Sequence, residues 1–145
     1  LAELRAGGHE LKIQKLKQII KQELTRASRS DRARIDVDGH TVDCDLALSD
    51  AQRMHGMMDR KTMGANEGML FVFPKPEHQS FWMRNTHVPL DVIFADEAGQ
   101  VLNVEQGHPM SEYRMLSKGP AKFVLEVPMG WCNKRRVGPG SIIRF

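Results

Sequence analysis

The chain has 145 residues, of which 41% are hydrophobic and 27% charged, a size and balance that suit one globular domain burying roughly 68–70% of its unfolded surface. No run approaches the roughly 18 apolar residues of a spanning helix, and no signal-type apolar stretch precedes the domain, so a soluble protein is expected, cytoplasmic or within an assembled particle. The formal charge of +3 is unevenly placed. Arg5, Lys12, Lys15, Lys17, Lys21, Arg26, Arg29, Arg32 and Arg34 face only Glu3, Glu10, Glu23 and Asp31 in the leading segment, which suits either a solvated helix face or an acidic partner such as nucleic acid, anionic lipid or protein.

Between His9 and Ala27 the apolar residues Leu11, Ile13, Leu16, Ile19, Ile20 and Leu24 fall mostly three or four apart, the spacing of an amphipathic helix. Gly7 and Gly8 before it and Ser28 to Asp31 after it bound the segment. The expected division is a basic helical arm and linker over residues 1–34 and a β domain over 35–145. A lone helix of this length is marginal in water, so its stripe needs a cover: the β domain, a second copy, a membrane or a larger assembly. Lys12, Lys15, Lys17, Lys21, Arg26 and Arg29 are the expected partner-binding residues.

From Ile35 the period changes to two. Ile35 and Val37, then Val42, Cys44, Leu46 and Leu48, alternate with polar residues across Asp38-Gly39, a strong hairpin signal. Ser49 with Gln52 makes a capping box and Gly56 a stop, predicting a short helix over Asp50 to His55 with Met54, Met57 and Met58 as core plugs. Short strands are expected at Met69 to Phe73, Gln79 to Met83, Leu90 to Ala95, Val101 to Glu105, Ala121 to Val127 and Ser141 to Phe145. The fold class is therefore mainly β: a small antiparallel β-barrel or sandwich with one or two short helices, preceded by the helical arm.

The runs Glu67 to Phe73, Ser80 to Thr86 and Val88 to Phe94, with Gly56 to Arg60 upstream and Val124 to Glu126 downstream, resemble the domain-of-unknown-function 192 family. The resemblance covers roughly Ile35 to Phe145. It implies a compact β-barrel or sandwich and supplies no reaction. Met57 stands where members often carry Leu, and Ser141 where an acidic residue is usual. Many bacterial members begin with an export signal or anchor in place of a basic arm.

For chemistry, Arg60, Glu67, Asn85, Asp91 and Glu126 are candidates to converge at one end of the barrel, a common place for a ligand site. Trp82 and Thr86 join this binding set, Trp82 as core filler or ligand wall. Glu126 shares a strand face with Val124; pointing inward it needs a partner, for which Arg60 and Arg84 are available. Cys44 and Cys132 read as two buried thiols, with Cys132 near Lys134, Arg135 and Arg136 as a candidate reactive thiol. The six His residues are scattered, Asp36 and Asp38 lack the rest of a calcium loop, and no phosphate or nucleophile motif occurs. No metal, cofactor or catalytic residue is therefore expected.

The expected function is a non-enzymatic structural or binding module docked through its arm into a larger protein assembly. A virus particle is one such assembly, since Leu1-Ala2-Glu3 resembles a maturation cleavage site and the chain starts without Met. The alternatives are a small-molecule-binding barrel with its site near Trp82, Asn85 and Glu126, and an arm that binds nucleic acid.

Overall fold

The computed structural model describes residues 8–26 and 31–145, with side chains over 10–20 and 31–145. Helix α1 (Gly8–Arg26) is followed by β1 (Arg32–Val37), β2 (His40–Ala47), α2 (Asp50–His55), β3 (Glu67–Glu77), β4 (Ser80–Phe81) and β5 (Leu90–Ala95). Then come β6 (Val101–Gly107), β7 (Met115–Leu116), β8 (Ala121–Pro128), α3 (Trp131–Arg135) and β9 (Ile143–Arg144). Seven strands form one sheet in the order β6-β5-β8-β3-β2-β1-β9, and β4 pairs with β7 in a separate ribbon.

Hydrogen bonds at one end curl the sheet into a half-barrel. Besides pairing with β1, the β9 region reaches the start of β6, where Ile143 N donates to Gly99 O at 2.8 Å and Val101 N to Ser141 O at 2.8 Å. Gly99 makes this approach possible: its φ is +85°, and a Cβ there would lie 2.5 Å from the Ile143 carbonyl oxygen. All pairings in the large sheet are antiparallel except β2 with β3, which run parallel because α2 carries the chain between them.

Alternation along the strands separates two apolar clusters. Ile35, Val42, Leu70, Ile93, Phe123 and Leu125 belong to the concave one. Phe71, Leu90, Val92, Phe94 and Val124 belong to the other, with Met57, Met83 and Met115 laid over it. β5 is buried along its whole length, which is why its sequence reads as a nearly continuous apolar run rather than an alternating one.

Helix α1 has a cover in the domain itself. Ile13, Leu16 and Ile20 are buried in the concave cluster, while Leu11 and Ile19 stay exposed, so the working stripe is narrower than the sequence suggests. Of the covers that the sequence leaves open for this stripe, the β domain is the one the structure shows. Lys12 and Lys15 point to solvent. Lys17 is half-buried beside the enclosed Lys122, whose ammonium is pushed down to about 8 by burial and by that neighbouring charge. The side chains of Lys21, Arg26 and Arg29 lie outside the described residues.

The first hairpin is as read: Asp38 and Gly39 have φ of 49° and 86°, the double-positive turn that matches strand twist. Asp38 also accepts from Ile142 N at 2.9 Å, tying the turn to β9, and the backbone hydrogen bond from Ile142 is the main cause of its lowered pKa. Asp38→Ala is expected to cost about 1 kcal/mol at pH 7, and Asp38→Asn less, because Asn tolerates this conformation. A depressed carboxyl pKa gives stability that is present above the unfolded value and lost as pH falls through the folded one. The wild-type advantage over the Asp38→Asn variant in urea unfolding should therefore shrink as pH falls below the ordinary carboxyl range.

Several boundaries differ from expectation. β3 continues through Pro74 and Pro76 to Glu77, tolerated because its ladder with β8 is irregular between Val72 and Glu77, where a missing N–H costs little. The strands expected at Gln79 to Met83 and Ser141 to Phe145 shorten to two residues each. Met115–Leu116 and α3 were not anticipated. Met54 is 79% exposed and no core plug, whereas Met57 is buried.

Candidate functional site

Opposite the concave core, the ends of α2 and the β4 region leave a groove of about 630 Å³ over the sheet. Its position follows from local sequence. The capping box forms as read, with Gln52 N donating to Ser49 Oγ and Ser49 N to Gln52 Oε1, both at 3.1 Å. Arg53 fastens the helix to the sheet through the Val72 carbonyl, donates also to the Leu48 carbonyl, and pairs within the helix with Asp50 at 2.6 Å. On the other side, Phe81 packs edge-on against Phe71 and Phe94, with ring centroids at 5.0 and 5.8 Å.

Glu126 lines this groove from the sheet. In β8 the residues Phe123, Leu125 and Val127 turn to the concave core, so Val124 and Glu126 turn to the opposite face. Glu126 lies in register with Met69 of β3 and Val92 of β5, both apolar. It is only 4% exposed, and no hydrogen bond or ion pair to its carboxyl is found among the described residues. Desolvation alone pushes its pKa up to about 8. The fully enclosed side-chain atoms without a partner among the described residues are Asp31 Oδ1 and Trp131 Nε1, so the Glu126 carboxyl is not sealed and opens on the groove it lines.

Thr86 and Trp82 join it. Thr86 is buried, and its hydroxyl donates to the Arg84 carbonyl at 3.1 Å. Trp82 is half-exposed and forms a wall, with the Arg114 guanidinium 4.0 Å and that of Arg84 5.4 Å from its ring centroid. Such stacking is a cation–π contact. Trp82 is thus a wall of the groove rather than core filler.

The remaining candidates do not converge with Glu126. Arg60 pairs with Asp45, which also meets Arg32 at 3.4 Å; Glu67 meets Arg32 at 3.5 Å and accepts from Gly64 N at 2.7 Å. These make one ion-pair network across β1, β2 and β3. Asp91 is buried and accepts from Gly130 N and Cys132 N at 3.1 and 3.0 Å, fixing the start of α3. Asn85 is exposed with φ of 55°, and its carbonyl accepts from Asp59 N at 3.0 Å, a turn role. Neither expected partner reaches Glu126, since Arg60 is engaged with Asp45 and Arg84 lies 3.8 Å from Glu112. Sequence reasoning missed Phe71, Phe81 and Arg114 as groove residues; Arg114 sits in an irregular loop that carries no periodic signal.

Cys44 and Cys132 are free and buried. Burial pushes the Cys44 thiol up to about 12. For Cys132 burial, then the Asp91 charge, raises the pKa and outweighs Arg135, which argues against the candidate role of a cation-activated thiol. Neither thiol should react measurably with a disulfide reagent in native buffer at about pH 8, and both should react in roughly 6 M guanidinium. Native-state labelling of Cys132 within minutes would contradict the burial.

The groove thus brings together a desolvated carboxyl, an oxygen of Thr86, aromatic and thioether walls, and a guanidinium at Trp82. Among the described residues no cluster of three or more His, Cys, Asp or Glu is placed to hold a metal ion, and no helix is long and apolar enough to cross a membrane.

The family model DUF192, described as an uncharacterized ACR, matches residues 33–145. A comparison with curated proteins gave no match. The structure is similar to a crystal structure of a protein of unknown function from Novosphingobium aromaticivorans, with TM-score 0.78 and 31% identity over 82% of this chain and 89% of that one. It is also similar to a putative transcription regulator from Sinorhizobium meliloti, with TM-score 0.77 and 31% identity over 81% of this chain and 96% of that one.

Proposed function

We propose that this chain, which belongs to the DUF192 family, is a non-enzymatic small-molecule-binding domain whose site is the groove between α2 and the β4 region. The observation that carries the reading is Glu126: a carboxyl almost wholly removed from water, without a partner among the described residues, at the edge of an open cavity. Burying such a group costs free energy, and a ligand that completes its hydrogen bonding offsets that cost. Trp82 and Phe81 supply the apolar wall, and Thr86 a second polar atom. Native mass spectrometry of protein purified without denaturation tests it: the wild type should retain a ligand mass that Trp82→Ala and Glu126→Gln lose. A clean apo mass, with no change of Trp82 fluorescence on adding concentrated extract of the source cells, sinks the reading.

A second reading, docking into a larger assembly or onto nucleic acid, is supported by the exposed Lys12 and Lys15 on α1 and by the putative transcription regulator among the similar structures. With the apolar stripe of α1 already covered, the contact would be electrostatic. Its affinity for duplex DNA should fall steeply between about 50 and 200 mM salt, and Lys12→Glu/Lys15→Glu should abolish it. Salt-independent binding, or none, rejects the nucleic-acid form of this reading.

A further inference from the structure

We propose that the ligand of the groove is a small organic cation, an ammonium or guanidinium head on an apolar or aromatic body, with the head held at Glu126. The inference rests on the groove being a binding site and adds the chemistry of its occupant.

The two buried polar side chains lining the groove, Glu126 and Thr86, offer acceptors. Thr86 spends its hydroxyl proton on the Arg84 carbonyl, leaving Oγ1 only lone pairs to offer, and an ionised Glu126 accepts through both oxygens. Between Glu126 and Thr86 a ligand bearing a carboxylate or carbonyl would find a single side-chain donor, the proton of a neutral Glu126. An ammonium finds acceptors for its N–H groups and supplies a countercharge for the buried carboxylate at once.

The walls point the same way. Met57, Phe71 and Phe81 line the groove, and thioethers and aromatic faces are polarisable surfaces that accommodate organic cations. Trp82 already carries a guanidinium, that of Arg114, at 4.0 Å. The arginines lining the groove are Arg53 and Arg114. Arg53 is held by Asp50 and two carbonyls, and Arg114 is exposed at the rim, where solvent screens it.

Binding a cation requires Glu126 to ionise, so a proton must leave on association. The charged and titratable groups around the groove are Asp50, Arg53 and His55 on α2 and Arg114 on the loop before β7; the strand neighbours Met69 and Val92 are apolar. Asp50 and Arg53 offset each other. His55 is exposed, so solvent screens whatever charge it carries.

The test is isothermal titration of the intact chain with three probes of matched size: phenethylammonium, 2-phenylethanol and 3-phenylpropionate. Each is measured from about pH 6 to 8.5 in two buffers of different ionisation enthalpy. Phenethylammonium should bind at least roughly tenfold more tightly than the alcohol at the alkaline end. Its affinity should fall about tenfold per unit as pH drops below about 8, with close to one proton released per ligand. Glu126→Gln should lose both the preference and the slope while still binding the alcohol. If the alcohol or the carboxylate equals or exceeds the ammonium, the cation assignment is wrong and the groove still binds. If no probe binds and Trp82 fluorescence responds to none, the binding reading fails and the cation assignment with it.

Discussion

Glu126→Gln is expected to make the protein more stable at pH 7, by roughly 3 kcal/mol, and to flatten its stability between about pH 5 and 8. The reason is the environment of the carboxyl. Its folded pKa is raised to about 8 by burial, against an unfolded value near 4.3, so the folded state holds a proton that the unfolded chain gives up. The sign follows from linkage: stability from this group is fully present below about pH 4, declines as pH rises, and is lost by the time pH passes the folded value of about 8. The slope approaches about 1.4 kcal/mol per pH unit in that window. Gln keeps the shape and the buried polar atoms but has no proton to lose. Urea unfolding of wild type and variant across about pH 4 to 9 measures the difference directly, and parallel curves would show that Glu126 is hydrated or paired after all. Under the proposed cation binding the same residue that weakens the fold would be the one that holds the ligand, a trade-off common at functional sites.

What the sequence revealed and what it hid divide along physical lines. The Asp38-Gly39 turn and the Ser49–Gln52 box were legible because each is decided by residues within a few positions of one another, whose backbone geometry the side chains dictate. The placement of Glu126 was legible as far as alternation reaches: it faces away from Phe123, Leu125 and Val127. Whether that second face met water or a cover was not, because the cover is Met57, Met83 and Met115, brought from separate loops and short elements. For the same reason Asp91 looked like a candidate ligand group. Its use is to accept two backbone N–H groups of a segment about forty residues downstream, a pairing no local pattern encodes. The strand expected over Met69 to Phe73 runs on through Pro74 and Pro76, because the irregular ladder there tolerates them. Local chemistry was readable from sequence; convergence of distant segments required coordinates.

The helix α1 supplies the other large effect. Ile13, Leu16 and Ile20 are each at most 4% exposed, in one cluster with Leu70, Phe123 and Leu125. Burial of three such side chains is worth about 5–9 kcal/mol before the cost of ordering the helix is subtracted. Leu16→Ala alone is therefore expected to lower the unfolding free energy by about 2–3 kcal/mol. The triple variant Ile13→Ala/Leu16→Ala/Ile20→Ala should lose less than the sum of the three single changes. Once the helix lets go of the sheet, further truncation on it has nothing left to remove, and the loss saturates at the docking energy of the element. A helix released in this way becomes a protease substrate at the exposed Lys12 and Lys15. Trypsin should cut the triple variant there much faster than wild type, with the sheet still folded by hydrogen exchange. Equal cleavage rates and a stability change under about 0.5 kcal/mol, the usual size of a surface substitution, would mean that α1 is a free arm. Saturating loss with selective cleavage would instead place it in the fold, so that only its charged outer face is left to meet another molecule.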